Sequence, residues 1–159
     1  GRLISTSSEA MLYGSAGQPN YAAAKAGIVA MTMGAAQLMI KYGITANVLM
    51  PRAETDMTMQ GPTAAMFAAP EQGFHNFDPA NVAPLVTYLC SPRAGHISGE
   101  VFIAWGNQVQ VVKRPELLAP NVNPDGEIRW TLDGLHDSLS FYFDDKHVPV
   151  RDGFSRPIG

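Results

Sequence analysis

The most constraining feature of this sequence is a strand, a helix and a second strand written into its first 51 residues. Arg2-Leu3-Ile4-Ser5-Thr6 is short and apolar before the Ser7-Ser8 pair, which suits a buried strand running into a polar loop. Gly14, Gly17 and Pro19 mark that loop. From Asn20, a residue type that caps helices, segment 20–42 is rich in alanine and methionine and holds no proline. It stops at Gly43, the residue type that most readily takes the left-handed position after a helix. Residues 44–50 follow at once and Pro51 closes them, as a second strand would be closed. Two strands joined through a long helix are parallel and linked by a right-handed crossover. Parallel pairs need cover on both faces, so the rest of the chain has to supply further layers.

Those layers are partly visible. After Pro51 the chain loosens, and segment 55–73 carries Met57, Met59, Met66 and Phe67 among glycine, proline and alanine, which reads as an irregular or short-helical flap. Asp78 with Pro79 behind it signals a helix start, and the helix is expected to run to about Ser91, with Pro84 tolerable only in an early turn. Segment 99–104 is expected as the third strand, and beyond Trp105 the pattern fades. Asn123-Pro124-Asp125-Gly126 reads as a turn, and 132–143 as one amphipathic helix. Three strands leave a parallel edge open, which is an aggregation hazard. The chain also opens at Gly1, directly before a strand, with no methionine and no charged-then-apolar leader. Both points lead us to expect the C-terminal half of a longer polypeptide.

Composition narrows the function classes. At 159 residues the length suits about one domain. Eleven basic against fourteen acidic residues give a formal charge of −3, which argues against a nucleic-acid footprint and against a polybasic membrane binder. The longest weakly polar stretch, 26–40, contains Thr32 and Gln37 and falls short of the roughly 20 apolar residues that span a bilayer, so no membrane span is expected. Cys90 is the only cysteine, so no internal disulfide can form; a reducing compartment, the cytoplasm, is expected.

The chemistry concentrates at the start of the long helix. Tyr21 and Lys25 are four apart, which places both side chains on one face, one turn from each other. A tyrosine with a reference pKa near 10 exchanges protons poorly at neutral pH unless a nearby cation stabilises its phenolate, and Lys25 is placed to do so. Ser8 lies just after the first strand, where ligands gather in doubly wound sheets, and its hydroxyl could hold a substrate oxygen beside the phenol. Five tyrosines and four lysines give about 0.13 chance occurrences of Tyr-x-x-x-Lys, and requiring a serine at this spacing lowers that to about 0.007. The bland alternative is a half-buried helix tyrosine beside a solvated lysine.

At these residues the sequence resembles the short-chain dehydrogenase/reductase family. The resemblance covers 1–106 and rests on Gly1-Arg2-Leu3-Ile4-Ser5-Thr6-Ser7-Ser8, on Gly17-Gln18-Pro19-Asn20-Tyr21-Ala22-Ala23-Ala24-Lys25-Ala26-Gly27, and on Ile44-Thr45-Ala46-Asn47-Val48-Leu49-Met50-Pro51. Ser98-Gly99-Glu100-Val101-Phe102 is similar to the family's last core strand. The resemblance implies an α/β fold: the C-terminal half of a doubly wound, Rossmann-like parallel sheet over 1–106, with an irregular C-terminal extension over 107–159 serving as lid, subunit contact or tail. It also implies an NAD- or NADP-dependent oxidoreductase, the choice between the two left open, that interconverts a ketone and a secondary alcohol. In that reading Tyr21 is the general acid/base, Lys25 binds the nicotinamide ribose and lowers the tyrosine pKa, and Ser8 positions the carbonyl. Pro51 and Thr55 join Tyr21 and Lys25 as cofactor-binding residues. A homodimer or homotetramer is implied, and a complementing N-terminal half is a further expected partner.

Two departures from the family pattern stand out. No Gly-x-x-x-Gly-x-Gly follows a strand in these residues, so the pyrophosphate loop is lacking and no turnover is expected of the chain on its own. Arg52 stands where the family commonly has glycine after the proline. The Met-rich segment 57–67 sits where the family places its substrate lid, and flexible thioethers suit a large apolar ketone, 3-oxoacyl or steroid-like; gap-filling methionines over a loop are the alternative. Ala23, Ala26, Gly27, Ala30, Gly34 and Ala35 keep the long helix thin for close approach of another helix or subunit. His136, Asp137, Asp144, Asp145 and His147 form an acidic and imidazole-bearing patch whose spacing fits no zinc pattern, and no metal is expected. His75 and His96 are loop histidines with no partner visible, and Cys90 reads as a small buried hydrophobe. A non-catalytic dehydrogenase-like subunit is the competing reading.

Overall fold

In the computed structural model, residues 1–14, 16–61, 64–115, 120 and 129–143 are described. The first strand, β1 (Arg2–Thr6), lies where the sequence places it. A single helical turn, α1 (Ala10–Tyr13), follows and ends on Gly14. The long helix α2 (Pro19–Met39) starts one residue earlier than the capping signal suggested: Gln18 stands at its N-cap, Pro19 lies in its first turn and Asn20 is inside it. Proline has no N–H to lose there and its fixed φ is already helical, so the start shifts to it. The last turn tightens into the 3-10 segment Ile40–Tyr42, and Gly43 ends it at φ 69°.

Counted with that turn, Pro19–Tyr42 runs for 24 residues with a mean hydropathy of 1.4 in its most apolar window, long and apolar enough by length and composition to cross a membrane. Ala22, Ala23 and Ala24 extend the apolar run that the sequence places at 26–40. In the structure the helix is tied to the sheet. Its Thr32 hydroxyl, 1% exposed, donates to Ser5 Oγ at 2.8 Å, and Ala22, Val29 and Ala36 are buried along the same side.

β2 (Thr45–Pro51) follows and is buried from 45 to 50. It pairs in parallel with β1, Ser5 opposite Val48, and with β3 (Val101–Trp105), Val48 opposite Val101. The alternation of side chains along each strand builds a core on either face. On one face Val48, Met50, Val101, Ile103 and Trp105 pack with Val29 of α2. On the other, Phe102 meets Leu89 of α4 (Ala83–Cys90) and Ala94 just beyond it, with Ile4 packed against them. Helices cover both faces, as a doubly wound sheet requires.

Between β2 and α4 the chain holds a 3-10 turn (Thr58–Gln60) and the one-turn α3 (Ala64–Phe67), the irregular segment the sequence suggests. The helix expected over 78–91 is two pieces. Asp78 Oδ1 accepts the Ala80 N–H at 2.8 Å and caps only a 3-10 turn, Pro79–Asn81, before α4 begins. Pro84 forces the division: without an N–H it cannot continue a helix from the preceding turn, but it fits the start of a new one. Cys90 is exposed, contrary to expectation, because Leu89 takes the inward position and the next residue is rotated about 100° away.

A fourth strand lies where the sequence pattern faded. β4 (Gln108–Val111) folds back antiparallel on β3 across Gly106-Asn107, giving the order β1-β2-β3-β4. Gly106 sits at φ 50°, a conformation that favours glycine, and a Cβ there would come within 2.9 Å of Asn76 Oδ1. The compact unit carrying this sheet is Gly1–Lys113.

In the second unit, Arg114–Gly159, α5 (Leu132–Phe143) has the bounds read from the sequence. Thr131 Oγ1 accepts the Gly134 N–H at 3.1 Å and caps it. The turn at Asn123-Pro124-Asp125-Gly126 and the residues Asp144, Asp145 and His147 lie outside the described residues. Among the described residues no group of His, Cys, Asp or Glu is arranged to hold a metal.

Candidate active site at the strand exits

Polar residues collect where β1 and β2 end, the C-terminal edge at which open α/β sheets bind ligands. Ser7 is 3% exposed; its N–H donates to the Leu49 carbonyl and its hydroxyl to the Lys25 carbonyl, both at 2.8 Å. This fixes the end of β1 against both its strand neighbour and α2. Ser8, next in sequence, is half-buried, and its Oγ accepts the Ala10 N–H at 3.2 Å.

One helical turn brings Tyr21 and Lys25 together, with Lys25 Nζ 5.6 Å from the centroid of the Tyr21 ring. Lys25 Nζ also donates to the Thr6 carbonyl at 3.3 Å, so the ammonium stands at the last residue of β1, beside the Ser7-Ser8 step. Tyr21 is 41% exposed. Among the described residues Ser8 and Tyr21 share no hydrogen bond.

Pro51 is the last residue of β2, opposite Ala104. Thr55 lies four residues on, in a reciprocal pair with Thr58: the Thr55 N–H donates to Thr58 Oγ1 at 2.8 Å and the Thr58 N–H to Thr55 Oγ1 at 3.2 Å. It borders a cavity of about 330 Å³ walled by Glu54, Asp56, Met59 and His75 among others. His75 has the partners that its sequence neighbours did not reveal: Nε2 lies 3.1 Å from Glu54 Oε2 and 3.2 Å from the Phe67 carbonyl oxygen. The hydrogen bond to the Phe67 carbonyl, an acceptor, assigns a proton to Nε2, while Glu54 Oε2 is buried and makes no hydrogen bond among the described residues.

The largest feature missed in the sequence is an ion pair. Arg52 donates through Nε to Glu9 Oε1 at 2.6 Å and through Nη2 to Glu9 Oε2 at 2.7 Å, and its guanidinium lies 4.2 Å from the centroid of the Trp105 ring. The hydrogen bond to Glu9 holds the Arg52 pKa above the ordinary arginine value, against the lowering effect of burial. The departure from glycine at position 52 therefore has a built partner. Its signal in the sequence is a pair of opposite charges, Glu9 and Arg52, each just past the end of one of two adjacent parallel strands.

The profile of the family described as Enoyl-(Acyl carrier protein) reductase matches residues 1–106. Hydroxyacyl-CoA dehydrogenase ChsB1 of Mycobacterium tuberculosis is 49% identical over 147 residues, which cover 90% of this chain and 44% of ChsB1. The 3-oxoacyl-[acyl-carrier-protein] reductase FabG of Vibrio cholerae is 36% identical over 118 residues, 70% of this chain and 47% of FabG. A crystal structure of a short chain dehydrogenase from Mycobacterium avium matches with a TM-score of 0.72 and 32% identity, over 94% of this chain and 46% of that one. The chain belongs to the short-chain dehydrogenase/reductase family, and its fold is the family's Rossmann-like α/β sheet. It spans a little under half the length of these relatives.

Proposed function

We propose that this chain carries the catalytic side of an NAD(P)-dependent oxidoreductase that interconverts a ketone and a secondary alcohol at carbon 3 of an acyl thioester. The observation that carries the reading is Lys25: one side chain reaches both the Tyr21 ring and the last carbonyl of β1, beside Ser8. The names of ChsB1 and FabG, a hydroxyacyl-CoA dehydrogenase and a 3-oxoacyl-carrier-protein reductase, support a 3-oxoacyl or 3-hydroxyacyl substrate. Met59, which lines the cavity, and the exposed Met57 and Met66 of the same segment suit an acyl chain.

The residues present fit the nicotinamide end of a dinucleotide: a cation, two hydroxyls and the Pro51 to Thr55 turn stand at the strand exits. Lys25 would hold the ribose, and Pro51 and Thr55 the nicotinamide side. When bound, the nucleotide supplies or accepts the hydride. Tyr21 gives a proton to the substrate oxygen in reduction and takes it back in oxidation. Lys25 stabilises negative charge on the phenol oxygen while that proton is away. Ser8 donates its hydroxyl hydrogen to the same substrate oxygen and orients it.

The glycine-rich pyrophosphate loop has to come from outside these 159 residues, in the same polypeptide or a second chain, and turnover requires it. Two features support such completion. Among the described residues β1 has one strand neighbour, and α2 leaves Met31 and Leu38 exposed, a surface suited to a dimer or tetramer. The exposed free thiol of Cys90 favours a reducing, cytoplasmic setting.

The test is reduction of acetoacetyl-CoA with NADH or NADPH, followed by nicotinamide absorbance. Tyr21→Phe is expected to lower turnover about 10²- to 10⁴-fold with nucleotide affinity unchanged. Full activity in that variant overturns the assignment. Absence of turnover in a protein that also carries the pyrophosphate loop would favour the non-catalytic subunit.

A further inference from the structure

We infer that Glu9 and Arg52 are positioning residues for Ser8, forming a strut between the exits of three strands. The inference rests on the reading of Ser8 given above and concerns what holds that hydroxyl in place.

Ser8 is flanked by two buried polar residues, each fixed by partners far away in sequence. On its N-terminal side Ser7 is bonded to Leu49 and Lys25. On its C-terminal side Glu9, only 9% exposed, receives both arms of the Arg52 fork. Arg52 is itself fixed three ways. Its N–H donates to the Ala104 carbonyl at 3.0 Å, its side chain clamps Glu9, and its guanidinium lies over the ring of Trp105, 7% exposed at the end of β3. The result is a chain of contacts from β3 through the β2 exit to the loop after β1. Only Ser8, between the two clamps, keeps partial exposure. The loop beyond it depends on the same clamp, because the Leu12 N–H bonds to the Glu9 carbonyl and the Met11 N–H to the Ser8 carbonyl.

Stability alone is a poor reason for such a pair. Taking two charges out of water costs about as much as their attraction returns, and well-packed apolar residues of the same volume often serve as well or better. What the pair adds is direction: a planar fork on a carboxylate admits one mutual orientation, and the Trp105 ring under the guanidinium holds the fork from a third side. Glycine at position 52 would leave Glu9 without that partner, so the two residues function as a unit.

The test pairs an activity measurement with one independent of activity. Arg52→Lys keeps the buried carboxylate paired with a cation but removes the fork and the stacked plane, and Glu9→Gln removes the charge at constant shape. In both variants hydrogen exchange at the Ala10 and Leu12 amides is expected to speed up by about tenfold or more, while exchange at Val48 between β2 and β3 stays unchanged. In the acetoacetyl-CoA assay kcat is expected to fall about 10- to 100-fold, the cost of a misplaced group, with the nucleotide KM unchanged. Adding Arg52→Lys to Ser8→Ala should cost nothing further, since the strut acts through Ser8. Unchanged exchange at Ala10 and Leu12 overturns the inference, as does a loss fully additive to Ser8→Ala. If Ser8→Ala alone turns over normally, or the wild-type protein completed by the pyrophosphate loop shows no turnover, the functional reading fails while the exchange data still decide the strut.

Discussion

Asn47 offers a strong test of how the sheet is held together at its entry side. It is 1% exposed in the middle strand, where its Nδ2 donates to the Ile97 carbonyl at 2.9 Å and its Oδ1 accepts the Glu100 N–H at 3.0 Å. Both bonds hold the loop that delivers the chain into β3. Asn47→Leu keeps most of the volume and removes both partners. A buried polar group that loses its partner costs about 1–3 kcal/mol, so two groups, with water reaching the half-buried Ile97 side, come to about 2–4 kcal/mol. The control is Ser98→Ala, which removes a single bond, Oγ accepting the Ala46 N–H at 3.2 Å, in the same loop. That change should cost about 1 kcal/mol. Urea unfolding reads the difference: with a slope of about 1–3 kcal/mol per molar, Asn47→Leu should lower the midpoint by about 1–2 M at unchanged slope. An Asn47→Leu loss no larger than that of Ser98→Ala would refute the reasoning, because the buried carboxamide would then be contributing no more than a half-exposed hydroxyl.

Three further outcomes follow from the same geometry. Gly106→Ala forces a left-handed backbone on alanine and crowds Asn76, so thermal unfolding should show a loss of about 1–2 kcal/mol; an unchanged Tm would mean that β3 and β4 do not turn here as described. Cys90→Ser should change stability by less than about 0.5 kcal/mol, and a thiol reagent should label the folded wild type without waiting for unfolding; labelling limited by unfolding would place Cys90 in the core. A basic group whose folded pKa is raised contributes stability that is complete below its unfolded value and is lost only as pH rises through the folded one. Arg52 is such a group, so the loss caused by Arg52→Lys should be the same at about pH 7 and pH 9, and a clear difference between them would count against the pair.

Legibility in the sequence follows the range of the interactions. β1 and α5 have the bounds read from residue patterns, because apolar runs, caps and punctuation act over a few neighbours. The same local logic carried the Tyr21 and Lys25 pair, which one helical turn brings together whatever the rest of the chain does. It failed where a local signal has two uses. Asp78 with Pro79 starts a 3-10 turn as readily as a helix, and the choice was made by Pro84 five residues later. It failed again at β4, where the alternation of Gln108, Val109, Gln110 and Val111 runs for four residues only and all four are exposed, so no burial marks the strand and the ladder with β3 holds it. Cys90 was misplaced by one position, since in a helix of eight residues a single buried leucine sets which side faces in. The Glu9 and Arg52 pair lies beyond any local pattern, 43 residues apart and joined only because β1 and β2 are parallel neighbours whose ends coincide. Parallel pairing brings all the strand exits to one edge, so residues with no relation along the chain become first neighbours there. The site's chemistry is therefore written in pairs that the topology alone brings together, and a charge of each sign after successive parallel strands is the pattern that would have found this one.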